Sequence, residues 1–167
     1  QTVYVLRALE DSGVRLELLE QPVRGDDIEG MKYVTERIHT PVMADESSFG
    51  PKEAIELIRM RAADIINIKL MKTGGISNAI KIADIAGIYG VNCMIGCMLE
   101  SSIGVAAAAH IAVAKASVIT MVDLDTPSLG RYDPVSSGVQ FNNAEITITD
   151  LPGLGISNID NLVMLDI

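Results

Sequence analysis

The chain has 167 residues, 49% hydrophobic and 21% charged, which suits one ordinary globular domain with a sizeable core and argues against disorder. Its 13 basic and 22 acidic residues leave a net charge of −9, with no basic cluster and no interleaved aromatics, so nucleic acid and anionic membranes are disfavoured as partners. No apolar run nears the roughly 20 residues that a bilayer span needs, and the N-terminus lacks the charged-then-apolar layout of a signal peptide, so the sequence reads as cytoplasmic.

In chain order, "QTVYVLRALEDSG" opens without a methionine, as though partway through a helix. Short apolar runs then follow at "VRLELLEQP", "TPVMADES", "ADIINIKL", "GVNCMIGC" and "ASVITMVDLD". Between them the predicted helices cover roughly 27–39, 51–61, 75–89 and 101–115. Pro51 opens the second at a first-turn position and "ESS" opens the fourth. Each strand precedes a helix, so the sheet should be parallel, in a β/α barrel or a doubly wound fold. Near the end, "NNAE" between alternating apolar residues predicts a hairpin. Five strand candidates are too few for an eight-stranded barrel, so the chain reads as part of a larger fold, with residues 1–135 as a partial barrel and 136–167 as a C-terminal segment.

The stretch "NIKLMKTGG" places lysines at the end of an apolar strand. Ile66, Ile68 and Leu70 share one face and Ile65, Asn67 and Lys69 the other, because side chains alternate along a strand. A buried ammonium without a partner is very costly, so Lys69 either emerges into solvent, meets a carboxylate, or serves as a catalytic base. Glu20, Asp45, Lys69, Asp123 and Asp125 all stand at C-terminal ends of strand candidates, where barrel enzymes carry their chemistry. Spacings of 25 residues from Glu20 to Asp45 and 24 from Asp45 to Lys69 are one β-α unit each, which brings these ends together. Two carboxylates on neighbouring strands suit a hard, oxygen-preferring cation such as Mg²⁺.

The motifs "ELLEQPV", "PVMADES", "NIKLMKTGGI", "GCMLESSIG" and "PGLGI" resemble the second half of an enolase-superfamily enzyme of the muconate-lactonizing subgroup, and "DLDTP" resembles the Asp-x-Asp motif of its dipeptide epimerases. The resemblance implies the C-terminal portion of a modified (β/α)7β TIM-like barrel, with about five parallel strands, intervening helices and a C-terminal hairpin segment returning toward a capping domain. It places the second and third Mg²⁺ ligands on Glu20 and Asp45, one of two acid/base lysines on Lys69, and the grip on a dipeptide's ammonium on Asp123 and Asp125. The first metal-ligand aspartate, the Lys-x-Lys motif and the capping region have no counterpart in these 167 residues. The implied activity is Mg²⁺-dependent epimerisation of Ala-Glu-type dipeptides by 1,1-proton transfer. A muconate cycloisomerase or o-succinylbenzoate synthase is the alternative on the same scaffold. A non-catalytic barrel fragment pairing with a missing N-terminal half or with another copy is the third reading.

The chemistry also follows without the family. Removing a proton α to a carboxylate creates an enediolate, whose charge a divalent cation can stabilise. A lysine with an ordinary pKa of about 10.4 is protonated at neutral pH, so a lysine base needs burial or nearby positive charge. Competing structural roles remain for each residue. Glu20 and Asp45 could cap helices or form surface ion pairs, with Glu46 as alternative ligand, and Lys69 could form a structural salt bridge. Asp123 and Asp125 could cap the turn before Pro127. Asn67 could support the site. Glu100 could do so too, or be a helix-start charge, and Lys72, beyond the strand, reads as solvated or supporting. His39 and His110 read as structural, Cys93 and Cys97 as buried free thiols, and "KTGG" is a weak phosphate-cradle signal.

Overall fold

A computed structural model describes residues 1–163. Five parallel strands in chain order form one sheet: β1 (Leu19–Glu20), β2 (Val42–Ala44), β3 (Ile65–Lys69), β4 (Asn92–Gly96) and β5 (Ile119–Asp123). The connecting helices are α2 (Ile28–Thr35), α3 (Pro51–Met60), α4 (Leu70–Thr73), α5 (Ile76–Tyr89) and α6 (Ser102–Ala114), preceded by α1 (Thr2–Asp11) and followed by α7 (Thr126–Leu129). Two small antiparallel pairs complete the described chain. They are β6 (Val135–Ser137) with β9 (Ile156–Ile159), and β7 (Val139–Asn142) with β8 (Glu145–Ile148). Among the described residues no helix is long and apolar enough to cross a membrane.

Local chemistry fixes these boundaries. Pro51 stands in the first turn of α3, where its missing N–H is not needed, and α5 ends at Gly90, whose φ of +70° suits the left-handed cap. The predicted hairpin is present: Asn142 pairs with Glu145, and Asn143, with φ +55°, takes the left-handed turn position that asparagine tolerates. The predicted cap of α6 by "ESS" is not made by Ser101, which forms no side-chain cap. Instead Asp133, from the arm after α7, accepts hydrogen bonds from the Ser102 amide and hydroxyl.

The core lies between the sheet's outer face and the helices. Ile66, Ile68, Cys93 and Ile95 are buried against Ala79, Ile82, Ala83 and Ala86 of α5 and Val105 of α6, each large aliphatic contributing about 1.5–3 kcal/mol. Ala106 to Ala109 let α6 pack between the sheet and the β7–β8 hairpin, so this helix is apolar nearly all round. A second cluster under β1 and β2 joins Met31, Val34, Val42, Ala44 and Leu57. The two faces of β3 alternate as expected, which leaves Ile65, Asn67 and Lys69 on the side away from these helices.

Candidate active site

Strand register carries the site residues to one face and one end of the sheet. Glu20 pairs with Met43, two residues before Asp45, and Met43 pairs with Ile65, two before Asn67 and four before Lys69. Lys69 pairs with Gly96, and Gly96 with Asp123. Period-two alternation therefore aims Glu20, Asn67, Lys69, Gly96 and Asp123 the same way.

Asp45 is the hub of the cluster. Its Oδ2 accepts from Lys69 Nζ at 2.6 Å, and its Oδ1 accepts from Lys72 Nζ. Lys72 also donates to the carbonyls of Asp45 at 2.5 Å and Asn67 at 3.0 Å. Asn67 Nδ2 donates to Glu20 Oε1 at 3.1 Å, while its Oδ1 is buried without a partner. Glu46 is exposed and lines the open side of the same 600 Å³ cleft, together with Glu20, Gln21, Arg24, Asp45 and Lys69.

The Lys72 side chain is only 6% exposed, so of the two readings, solvated or supporting, the solvated one does not hold. The reason is α4: helical turning directly after Lys69 swings residue 72 back under the strand ends instead of out into water.

These contacts set the charge states. Burial pushes Asp45 upward, but hydrogen bonds from Lys69 and Lys72 outweigh it and hold its carboxyl below the usual carboxylate range. Burial alone would lower Lys69, yet the Asp45 hydrogen bond and the charges of Asp45, Glu20 and Glu46 hold it above the ordinary lysine value. For Lys72 burial prevails and its pKa is lowered. Glu20 keeps an exposed edge, but burial of its carboxyl raises its pKa, Asn67 opposes the rise, and the facing Asp45 carboxylate adds to it. Lys69 is thus held as an ammonium in this arrangement.

Three residues that shape the site were not singled out from the sequence. Gln21, at φ +38°, accepts from the amides of Asp45 at 2.8 Å and Ser47 at 3.2 Å and donates to the Ser47 hydroxyl at 2.8 Å, so it organises the loop that carries Asp45. Gly25 lies so near the Glu46 carbonyl that a Cβ would approach its oxygen to 2.5 Å. Gly96 faces the cluster, where a Cβ would fall 2.8 Å from Asn67 Oδ1 and 3.1 Å from Lys69 Cε. A glycine inside a strand is itself a sequence signal of close approach, and Gly96 carried it.

The remaining residues sit elsewhere. Asp123 ends β5, two strands from Lys69, but Asp125 does not continue the strand as expected: its φ and ψ of −88° and −10° are helical and it opens α7. Pro127 in the first turn of α7 favours this helical start. Neither carboxylate bonds another side chain among the described residues. Glu100 folds onto its own loop, accepting from the Met98 amide at 3.0 Å beside the first turn of α6. His110 Nδ1 donates to the Ala106 carbonyl at 2.7 Å, and the His39 amide is held by Glu10. Cys93 is buried and Cys97 only partly so. The glycines of "KTGG" serve the turn between α4 and α5, Gly74 at φ +77° and Gly75 at φ +109°.

A hard divalent cation fits the oxygens present. Glu20 lies close enough to Asp45 for the Asp45 carboxylate to raise its pKa, and the orphaned Asn67 Oδ1 is buried beside them. Among the described residues no group of three His, Cys, Asp or Glu side chains could hold a metal by itself, so a cation held by these two carboxylates would need further ligands.

Comparison with known proteins gives this geometry its context. The L-Ala-D/L-Glu epimerase of Clostridium acetobutylicum is 50% identical over 161 residues, 96% of this chain and 45% of that protein. The substrate-liganded L-Ala-D/L-Glu epimerase from Bacillus subtilis superposes with a TM-score of 0.91 at 46% identity, covering 95% of this chain and 44% of that one. The dipeptide epimerase from Enterococcus faecalis V583, complexed with Mg and the dipeptide L-Leu-L-Tyr, superposes with a TM-score of 0.86 at 46% identity, covering 94% and 44%. The chain thus spans about 45% of the length of the relatives it matches, and its five parallel strands correspond to the C-terminal barrel part of such structures. Matched over residues 1–161 by the family described as enolase C-terminal domain-like, it belongs to that family.

Proposed function

We propose that this chain supplies the C-terminal part of the barrel of a Mg²⁺-dependent dipeptide epimerase acting on Ala-Glu-type substrates. The observation that carries the reading is the Lys69–Asp45 contact at 2.6 Å with Glu20 alongside, which joins a proton-transfer group to a carboxylate pair at the strand ends. Glu20 and Asp45 would hold Mg²⁺, and the ion would supply positive charge to the carboxylate of the substrate, making its α-proton removable. Asn67 and Gln21 orient the two ligands through the hydrogen bonds described above. Lys69, once off Asp45, takes the α-proton from one face and, as an ammonium, returns one. Inversion needs a second acid/base group on the opposite face, which in the family resemblance is a lysine outside these 167 residues. Asp123 and Asp125, uncommitted to other side chains among the described residues, are available to accept from the substrate's ammonium.

The test is α-proton exchange by the complete protein with L-Ala-L-Glu and Mg²⁺ in D₂O, followed by NMR. Loss of the glutamate Cα–H signal together with appearance of the Glu-epimerised dipeptide is expected. Absence of exchange in every dipeptide tried would refute the reading.

A further inference from the structure

Asp45 has two oxygens and two lysines, and the lysines are not equivalent. Lys69 reaches Oδ2 from the cleft side with 16% of its side chain exposed, and it is the lysine that lines the cleft. Lys72 reaches Oδ1 from beneath with 6% exposed, and is pinned a second and third time by the carbonyls of Asp45 and Asn67. An arrival from the cleft therefore meets Lys69 and not Lys72. We infer that Oδ2 of Asp45 is a single seat shared in turn by the Lys69 ammonium and the divalent cation, and that Lys72 is a positioning residue that keeps the Asp45 carboxylate in place during the exchange.

The consequence is a coupling between cation loading and release of the base. With the seat taken by the cation, Lys69 has lost the carboxylate that held it, and its four-carbon stem is free to present Nζ to the substrate. While Lys69 holds the seat, its Nζ is tied to Asp45 and is not presented to the substrate. Lys72 is not displaced, because two of its three acceptors are backbone carbonyls that a cation at Oδ2 does not touch. This inference rests on the functional reading given above for Glu20, Asp45 and Lys69.

Calorimetric titration of the complete protein with Mg²⁺ alone tests it, and needs no turnover. Lys69→Met and Lys72→Met each remove one positive charge at hydrogen-bond distance from Asp45, so simple electrostatics would make both bind Mg²⁺ more tightly. The shared seat predicts opposite signs. Lys69→Met removes the competitor and tightens binding by about tenfold or more, whereas Lys72→Met loosens the ligand and weakens it by about 10–100-fold, the usual cost of losing a partner that orients a metal ligand. Lys72→Arg, which keeps charge and donors, should stay within about threefold of the parent. Circular dichroism checks folding, and Lys72→Gln, which removes the charge but keeps a donor, carries the same expectation if the methionine variant does not fold. Tightening in both lysine variants, or unchanged affinity in Lys69→Met, overturns the inference. Opposite signs in a protein that epimerises nothing would keep the seat and refute the proposed function instead.

Discussion

Replacing Gly96 by alanine should uncouple stability from activity. The new Cβ would lie 2.8 Å from Asn67 Oδ1, 3.3 Å from Asn67 Nδ2 and 3.1 Å from Lys69 Cε, against an ordinary carbon contact of about 3.5 Å or more. The Asn67 amide must therefore shift by roughly 0.7 Å, which destroys the length and alignment of its 3.1 Å hydrogen bond to Glu20. A lost hydrogen bond to a carboxylate costs about 1.5–3 kcal/mol. Alanine returns about 0.5–1 kcal/mol because it is easier to order in a strand than glycine, and Gly96 has no left-handed φ to forbid it. The net loss of stability is then about 1–2 kcal/mol, readable by urea denaturation. Activity should suffer more: displacing Lys69 and Glu20 by a fraction of an ångström to 1 Å lowers kcat/KM by about 10²-fold. Parental kcat/KM in a folded Gly96→Ala protein would refute the argument that this gap is what seats the two side chains.

Gln21→Leu leaves the buried Asp45 amide and the Ser47 amide without their acceptor, so it should cost about 2–4 kcal/mol in denaturant unfolding and also weaken Mg²⁺ binding; a neutral effect on both would contradict its organising role. Burial pushes the Cys93 thiol up to about 12, so at pH 8 a thiol reagent should titrate one cysteine per native chain, Cys97, and two after denaturation. If Asp123 and Asp125 grip the substrate ammonium, N-acetyl-L-Ala-L-Glu should have a kcat/KM roughly 30-fold or more below that of the free dipeptide, about 2–5 kcal/mol. Equal values would remove the ammonium role and favour the cycloisomerase alternative.

The sequence disclosed the sheet and the hub of the site because both depend on short-range regularities. Alternation in "IINIK" put Asn67 and Lys69 on one face, and the repeat of one β-α unit brought Glu20, Asp45 and Lys69 to one end. What stayed hidden depends on where the chain turns. Lys72 is buried because α4 starts directly at Leu70, and a four-residue helix is too short to announce itself by periodicity. Asp125 leaves the strand because Pro127 sits in the first turn of α7, and "DTP" carries that turn signal in the sequence. The contacts of Gln21 with Asp45 and of Asp133 with Ser102 span 24 and 31 residues, and no local pattern encodes such distant partners.

The central claim is that Lys69 moves the α-proton on one face of the substrate. The complete protein and its Lys69→Ala variant, given each glutamate epimer of the dipeptide in D₂O with Mg²⁺, should differ in one respect: the parent exchanges the α-proton of both epimers, and the variant exchanges that of one epimer only and interconverts neither. Exchange of both epimers at parental rates in Lys69→Ala would contradict it.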